Sequence, residues 1–363
     1  EAAGRLTLDH PASPLDRRNF LPAAGRPPAG CDRRLLACRR LLDEGRVGPA
    51  GALLQGAMPA AAELPADGGE EPFAELRGWA MEPQRHWLRR LGLRPAEWER
   101  AVVDLEPLEL GERERAALLR EALDAAPGEP PDAGLVLRLC RGRGRLPPRA
   151  GAALEARLLA GRLASLQQAL EALGPAVQEP VAWQGWQGQP QRRGDAVVLV
   201  HTATWAAPQA MDLWLQLLLA AAADGHPPRR GVLVARDREH PERFAARLEL
   251  EAPAPDAARA ELERLEALRR AWRGPCWPVP PRSGWAWLEA ERHRPGSGRG
   301  KAAAVWEGAP GGRGATPERR RAEMVVCFGA DLPAEELLDA AFAGRTEALY
   351  GPLLAARRGE RRR

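Results

Sequence analysis

The sequence predicts an α/β (α+β) protein, a small mixed sheet with helices packed around it. Three observations lead there. Helical periodicity runs through the first half of the chain, short apolar runs bounded by Gly and Pro appear in the middle, and helical patterns then alternate with those runs. That alternation is the signature of a sheet covered by helices. With 363 residues, 45% hydrophobic and 28% charged, the chain can bury a sizeable core as one large domain or two ordinary ones.

Residues 1–70 read as an extended entry segment rich in Pro and Gly. It contains a short helix over 32–44, through Leu35, Leu36, Leu41 and Leu42, and a loop over 45–69. Residues 71–175 read as a helical region. Phe73, Leu76, Trp79, Ala80, Trp87, Leu88 and Leu91 suit two helices broken at Pro83, whose ring removes a donor and clashes with the preceding turn. A helix over 112–125 ends at Pro127 and Gly128. Over 152–173, Leu154, Leu158, Leu159, Leu163, Leu166 and Leu170 form one stripe of helical period.

Residues 176–363 read as the α/β core with C-terminal helices. The apolar runs 181–186 and 196–202, separated by Gly188, Pro190 and Gly194, predict a hairpin. A buried helix over 208–224 stops before Gly225, and a strand follows at 231–235. Asp256 is the expected N-cap of a helix over 256–272 whose apolar face is Leu262, Leu265, Leu268 and Trp272. Prolines stiffen 275–281, and Ser283 is placed to cap a helix carrying Trp285, Trp287 and Leu288. Glycines make 296–300 and 308–314 flexible. A strand at 324–328, helices over 337–341 and 349–356, and a basic tail complete the chain, with no internal repeat.

Several function classes drop out. No run approaches the roughly 20 apolar residues of a membrane span; the best, 213–223, is too short and contains Gln216. No basic-then-apolar leader opens the chain. It begins with Glu1, so a piece of a longer protein is expected. Five cysteines (Cys31, Cys38, Cys140, Cys276, Cys327) without a CxxC pair support neither a zinc cluster nor a disulfide framework, which suits a reducing cytoplasm. There is no GxxxxGK[ST] or GxSxG and no HxH or HxxxH pair. The GRGR run at 142–145 lacks the strand a phosphate cradle needs. Charge is nearly balanced, 53 basic against 49 acidic residues, with Lys301 the sole lysine. Arginine favours phosphate through its planar fork, but its abundance here fits a GC-rich genome equally well.

A hairpin running into a helix is where many phosphodiesterases hold Mg²⁺, using carboxylates on adjacent strands and a lysine two residues beyond an acid. Those side chains are missing. No acid lies between Glu179 and Asp195, and the second strand reads Val197, Val198, Leu199, Val200, His201, Thr202, Ala203, Thr204. Lys301 sits far along the chain in a glycine-rich loop. His201 reads as a sheet residue or surface histidine, or else as a general base or ligand, and Asp195 as a turn residue. Twelve tryptophans against one tyrosine are the positive signal. They fill the core, or one or two stack on unpaired bases or anchor a partner. Arg192 and Arg193 at the hairpin tip, beside Trp186, are the best-placed basic and aromatic combination.

Six segments in order resemble the C-terminal part of RecC, the gamma subunit of bacterial exodeoxyribonuclease V. They are HPASPLDRRNF (with His10, Pro11, Pro14, Arg18 and Phe20), the Pro83, Trp87, Leu88 and Leu91-Gly92-Leu93 helix, LRLCRGRGRLPP at 137–148, PVPPRSGWAW at 278–287, KAAAVWEG at 301–308 and ALYGPLL at 348–354. The charged stretch after Gly308 departs from the family's aromatic-rich pattern.

The resemblance implies a restriction-endonuclease-like (RecB-nuclease-like) sheet that is catalytically inactive, with Val200 and Thr202 as degenerate nuclease positions and no metal or cofactor bound by this region. It implies RecB-like and RecD-like partner subunits that use ATP and Mg²⁺, and contact with double-stranded DNA ends and single-stranded DNA, away from any membrane. Arg17, Arg18, Arg192 and Arg193 are then candidates for phosphate contact and Trp186 for stacking. Two competing expectations remain: an active Mg²⁺-dependent nuclease using Asp195, Asp212 and Glu179, or a protein-interaction module without a nucleic-acid role.

Overall fold

Charge pairs organise the first of the two units into which the chain divides, Glu1–Ala57 and Met58–Arg363. The computed structural model describes residues 11, 13–21, 32–45, 71–95, 109–125, 138, 147, 150–223, 225–308, 316–329 and 331–358. The expected loop at 45–69, the breakers Pro127 and Gly128, the GRGR run, the segment at 308–314 and the basic tail lie almost wholly outside these residues. In the first unit Asp16 caps a short 3-10 turn at Arg17–Asn19, and Asp32 caps α1 (Arg33–Asp43). No residue of α1 is buried. Asp43, the last residue of that helix, instead takes ion pairs from Arg17 and Arg39.

The second unit begins with the predicted helix pair, α2 (Pro72–Met81) and α3 (Pro83–Arg90). Pro72 opens the first, and the Glu71 carboxylate caps it by accepting from the Phe73 and Ala74 amides. Next come α4 (Glu112–Ala125) and α5 (Ala150–Glu171). The leucine stripe of α5 is only partly its buried face. Leu159, Leu163, Leu166 and Leu170 are buried, but Leu154 is 66% exposed and Leu158 39%. Arg162 and Glu155 turn inward because they have partners. Arg162 donates twice to Glu112 at 2.9 and 3.0 Å, and Glu155 accepts from Arg115 at 2.6 and 2.9 Å. Paired charges thus set the rotation of this helix.

Seven strands follow: β1 (Ala176–Gln178), β2 (Val181–Trp183), β3 (Trp186–Gly188), β4 (Gln191–Arg193), β5 (Ala196–His201), β6 (Arg230–Arg236) and β7 (Phe244–Glu251). Five make one mixed sheet in the order β1-β4-β5-β6-β7, antiparallel except for the central β5–β6 pair. A parallel pair needs a crossover, supplied by α6 (Ala207–Ala222). The expected hairpin between 181–186 and 196–202 does not form. The first run folds back on itself as β2–β3, with Gln184 and Gly185 both at positive φ (47° and 84°), the backbone of a type I′ turn. Strand β7 is one the sequence reading missed.

Both faces of β5 are covered, which explains its unbroken apolar run. Ala196, Val198 and Val200 join Val232, Val234 and Phe244 under α4 and α5. Val197, Leu233, Ala235, Leu248 and Leu250 face α6, fourteen of whose sixteen residues are buried.

Beyond α6 lie α7 (Pro255–Ala271), α8 (Pro281–His293), α9 (Gly298–Glu307), α10 (Ala322–Phe328), α11 (Ala334–Leu337) and α12 (Phe342–Ala355). Four expectations are corrected here. Asp256 lies inside the first turn of α7 rather than capping it, since the N-cap is Ala254. Ser283 likewise sits within α8, where its hydroxyl donates to Glu318. Residues 298–300, and with them Lys301, are helical: Gly298 approaches Trp287 so closely that a Cβ would stand 2.9 Å from the Trp287 carbonyl. The run 324–328 is helix rather than strand, because Met324 and Cys327, three apart, point into the interior from one face. After α12 the chain runs beside β7, with a bridge between Leu250 and Arg357 and bonds from the Glu251 amide to the Ala356 carbonyl and from the Arg358 amide to the Glu249 carbonyl.

Candidate nucleic-acid interface

Strand β5 presents no carboxylate and no lysine on either face. Val200 points into the α4–α5 layer, and its carbonyl accepts from Arg120 at 2.8 Å. Thr202, just past the strand end, is buried. His201 is half-buried. Burial and the charge of Arg120 push its pKa below the ordinary histidine value, against a hydrogen bond with the Thr204 backbone and the charge of Asp212.

The three acids of the nuclease alternative are not brought together. Asp195 sits in the β4–β5 turn and pairs with Arg230 at 3.2 Å. Asp212, on α6, is held by Arg77 and Gln216. Glu179 follows β1. Among the described residues no three His, Cys, Asp or Glu side chains converge where a metal ion could be held.

The predicted basic positions are placed differently from each other. Arg193 ends β4 and pairs with Ala196 across the two-residue turn into β5, with Arg192 beside it, but the hairpin is β4–β5 rather than the expected one, and Trp186 belongs to the separate β2–β3 ribbon. Arg192 donates to the His226 carbonyl at 2.7 Å. Arg193 donates to the Leu170 and Gly174 carbonyls at the end of α5, at 3.1 and 2.7 Å, and desolvation lowers its pKa. A cation there complements the negative end of the helix dipole. Trp186 packs on Phe73 and edge-on against Trp183, with ring centroids 6.1 and 5.7 Å away. Arg17 and Arg18, in the first unit, are largely exposed and pair with Asp43 and Asp16.

The sequence reading did not anticipate a cleft of about 580 Å³ at the carboxyl ends of β5 and β6. Thr204 and Trp205, just after β5, form one wall. Arg236, Asp237, Arg238 and Glu239, where β6 ends and its loop begins, form another, and Arg282, Trp285 and Glu289 of α8 close the third side. Parallel strands joined by a crossover helix leave a crevice at this end, because their connections diverge there. That geometry is the signal the sequence did carry, through a strand, a buried helix and a second strand.

The cleft is built on a rigid floor. Asp237 anchors the β6–β7 loop by accepting from the Glu239 and His240 amides at 2.7 and 3.0 Å and by pairing with Arg247. The start of α8 is fixed by Glu318, which is fully buried. Its carboxylate accepts from the Arg282 amide, the Ser283 amide and the Ser283 hydroxyl at 2.9, 2.7 and 2.7 Å. Burial pushes its pKa up, against those three donors. Trp285 meets Trp205 edge-on at 5.9 Å and Tyr350 at 6.0 Å.

Comparison with known proteins gives one family. The model of the RecC C-terminal domain matches residues 71–292, which span α2 to α8 and include the whole sheet. No curated protein matches the chain. Among the described residues no helix is long and apolar enough to cross a membrane.

Proposed function

From the membership of this chain in the RecC C-terminal domain family, we propose that it is a non-catalytic, DNA-guiding and subunit-docking region of a RecBCD-type helicase–nuclease. It acts in the cytoplasm, in duplex unwinding and double-strand-break repair. RecB-like and RecD-like subunits supply ATP hydrolysis and Mg²⁺-dependent strand cleavage. One observation carries the non-catalytic reading: β5, central in the sheet and covered on both faces, offers apolar side chains where a nuclease of this architecture would need acids. Buried carboxylates without a metal are costly, so a strand freed from catalysis gains by losing them.

The test is co-expression with RecB-like and RecD-like subunits, with and without residues 71–363. The proposal expects the trimer to form only when the region is present. It is overturned if the purified chain alone cleaves DNA with Mg²⁺ and loses that activity on Asp195→Asn.

A further inference from the structure

We propose that the cleft at the carboxyl ends of β5 and β6 is a single-strand pocket, in which Trp205 stacks on an unpaired base while Arg238 and Arg282 hold the adjoining phosphates. This rests on the DNA-guiding reading above and adds to it a site that includes none of Arg192, Arg193 and Trp186.

The first support is the state of the charges. Of the four arginines lining the cleft, Arg236 is committed to Glu112 at 3.4 Å and Arg247 to Asp237. Arg282 donates to the Thr316 carbonyl and its charge acts on the buried Glu318 carboxylate, and Arg238 is exposed and makes no hydrogen bond or ion pair with a described residue. Of the three acids, Asp237 is occupied by Arg247 and two backbone amides, and Glu289 by Arg357. Glu239 is the one lining acid whose side chain has no partner among the described residues. Four guanidinium groups against three lining carboxylates favour an anion, but not strongly. Phosphate contact alone would therefore hold a strand weakly, and a second kind of contact is needed.

The indoles provide it. Trp205 is partly buried against the core where it lines the cleft, and its ring is braced edge-on by Trp285, which is braced in turn by the fully buried Tyr350. A ring fixed in this way loses little freedom when a base stacks on it. Such stacking is indifferent to sequence, which suits a guide. A base reaches a ring inside a concave site only after leaving its own stack, so the ligand is a single strand rather than a duplex. An acidic peptide would satisfy the arginines and leave the ring unused.

The proposal is tested by fluorescence anisotropy of a dye-labelled oligothymidylate bound to the full chain over a range of salt concentrations. Arg238→Gln is expected to weaken binding several-fold and to reduce the slope of log affinity against log salt by about 0.7, the single-strand value for one lost phosphate contact. Trp205→Ala is expected to weaken it roughly tenfold and Trp205→Phe far less. A duplex of equal length, ATP and a poly-glutamate peptide serve as competitors and should displace the oligonucleotide poorly. The proposal is overturned if Arg238→Gln leaves affinity and salt slope unchanged, if Trp205→Phe binds no better than Trp205→Ala, or if any competitor displaces the strand efficiently. Should Trp205→Ala fail to fold, as its thermal melt would reveal, Arg238→Gln and retention of binding by Trp205→Phe decide. Subunit assembly is read separately by co-purification. A pocket that fails with assembly intact removes this site alone, and the reverse outcome removes the subunit role.

Discussion

Arg77 lays its Nε and Nη2 along the two carboxylate oxygens of Asp212, at 2.6 and 2.8 Å, joining α2 to the central helix α6. Asp212 is nearly buried while Arg77 is 42% exposed on its side chain, so only one partner is stranded if the pair is broken. Asp212→Asn should cost about 1–3 kcal/mol, since the guanidinium can turn to water. Thermal unfolding measures this. A catalytic acid would show the opposite pattern, with lost chemistry and unchanged stability.

Glu318 is the second test of a buried acid. Glu318→Ala strands two amides and the Ser283 hydroxyl in the interior, and a loss of roughly 2–4 kcal/mol is expected. Because burial already favours the uncharged form, Glu318→Gln should recover part of that loss. If the two variants melt together, shape and hydrogen bonding at this cap matter less than described.

Gly284 sets two effects against each other. Alanine is a better helix former than glycine by about 1 kcal/mol. A Cβ there would stand 2.5 Å from Val279 Cγ1 and 3.3 Å from Tyr350 Cε2, and the Val279 backbone is held by the Gln84 amide. Overpacking costs about 1–3 kcal/mol, so Gly284→Ala should be net destabilising. A raised denaturation midpoint would show that the α8–α12 contact yields.

His201 predicts an acid dependence. Its folded pKa lies below its ordinary value of 6.5, so the unfolded chain takes up the proton first. Stability attributable to this residue is complete above pH 6.5 and falls as pH drops from there toward the folded pKa. Denaturant titrations across that window should show the decline, and His201→Gln should flatten it. Equal slopes for the two proteins would exclude the residue as the source.

The helices that the sequence made legible are those whose apolar residues recur at helical spacing between clear start and stop residues. Over 112–125 and 72–90 the expected and observed elements agree almost residue for residue. The face of α5 was not legible, because two charged residues are buried through partners 40 and 50 residues away. Strand β7 hid behind Arg243, Arg247 and Glu249, whose alternation with Phe244, Leu248 and Leu250 is interrupted by a register shift. At 324–328 the β-branched pair Val325 and Val326 suggested a strand, but a helix lets Met324 and Cys327 share one interior face. Gly298 read as part of a flexible stretch and is a close approach instead. Of the site, the absence of acids on β5 was plain in the residues. The cleft was not, since the strand, helix, strand order implies a parallel pair but not which α8 side chains close the crevice beside it.

The segment that lies beside β7 after α12 has a further consequence. An unpaired outer strand is a template on which a second molecule can add its own backbone. Here the bonds made by Ala356, Arg357 and Arg358 occupy the Glu249–Glu251 end of that border, and the opposite border, β1, is only three residues long. Addition of a second backbone is thus obstructed beside Glu249–Glu251 by the chain's own segment 356–358, and at β1 it is limited to a border three residues long.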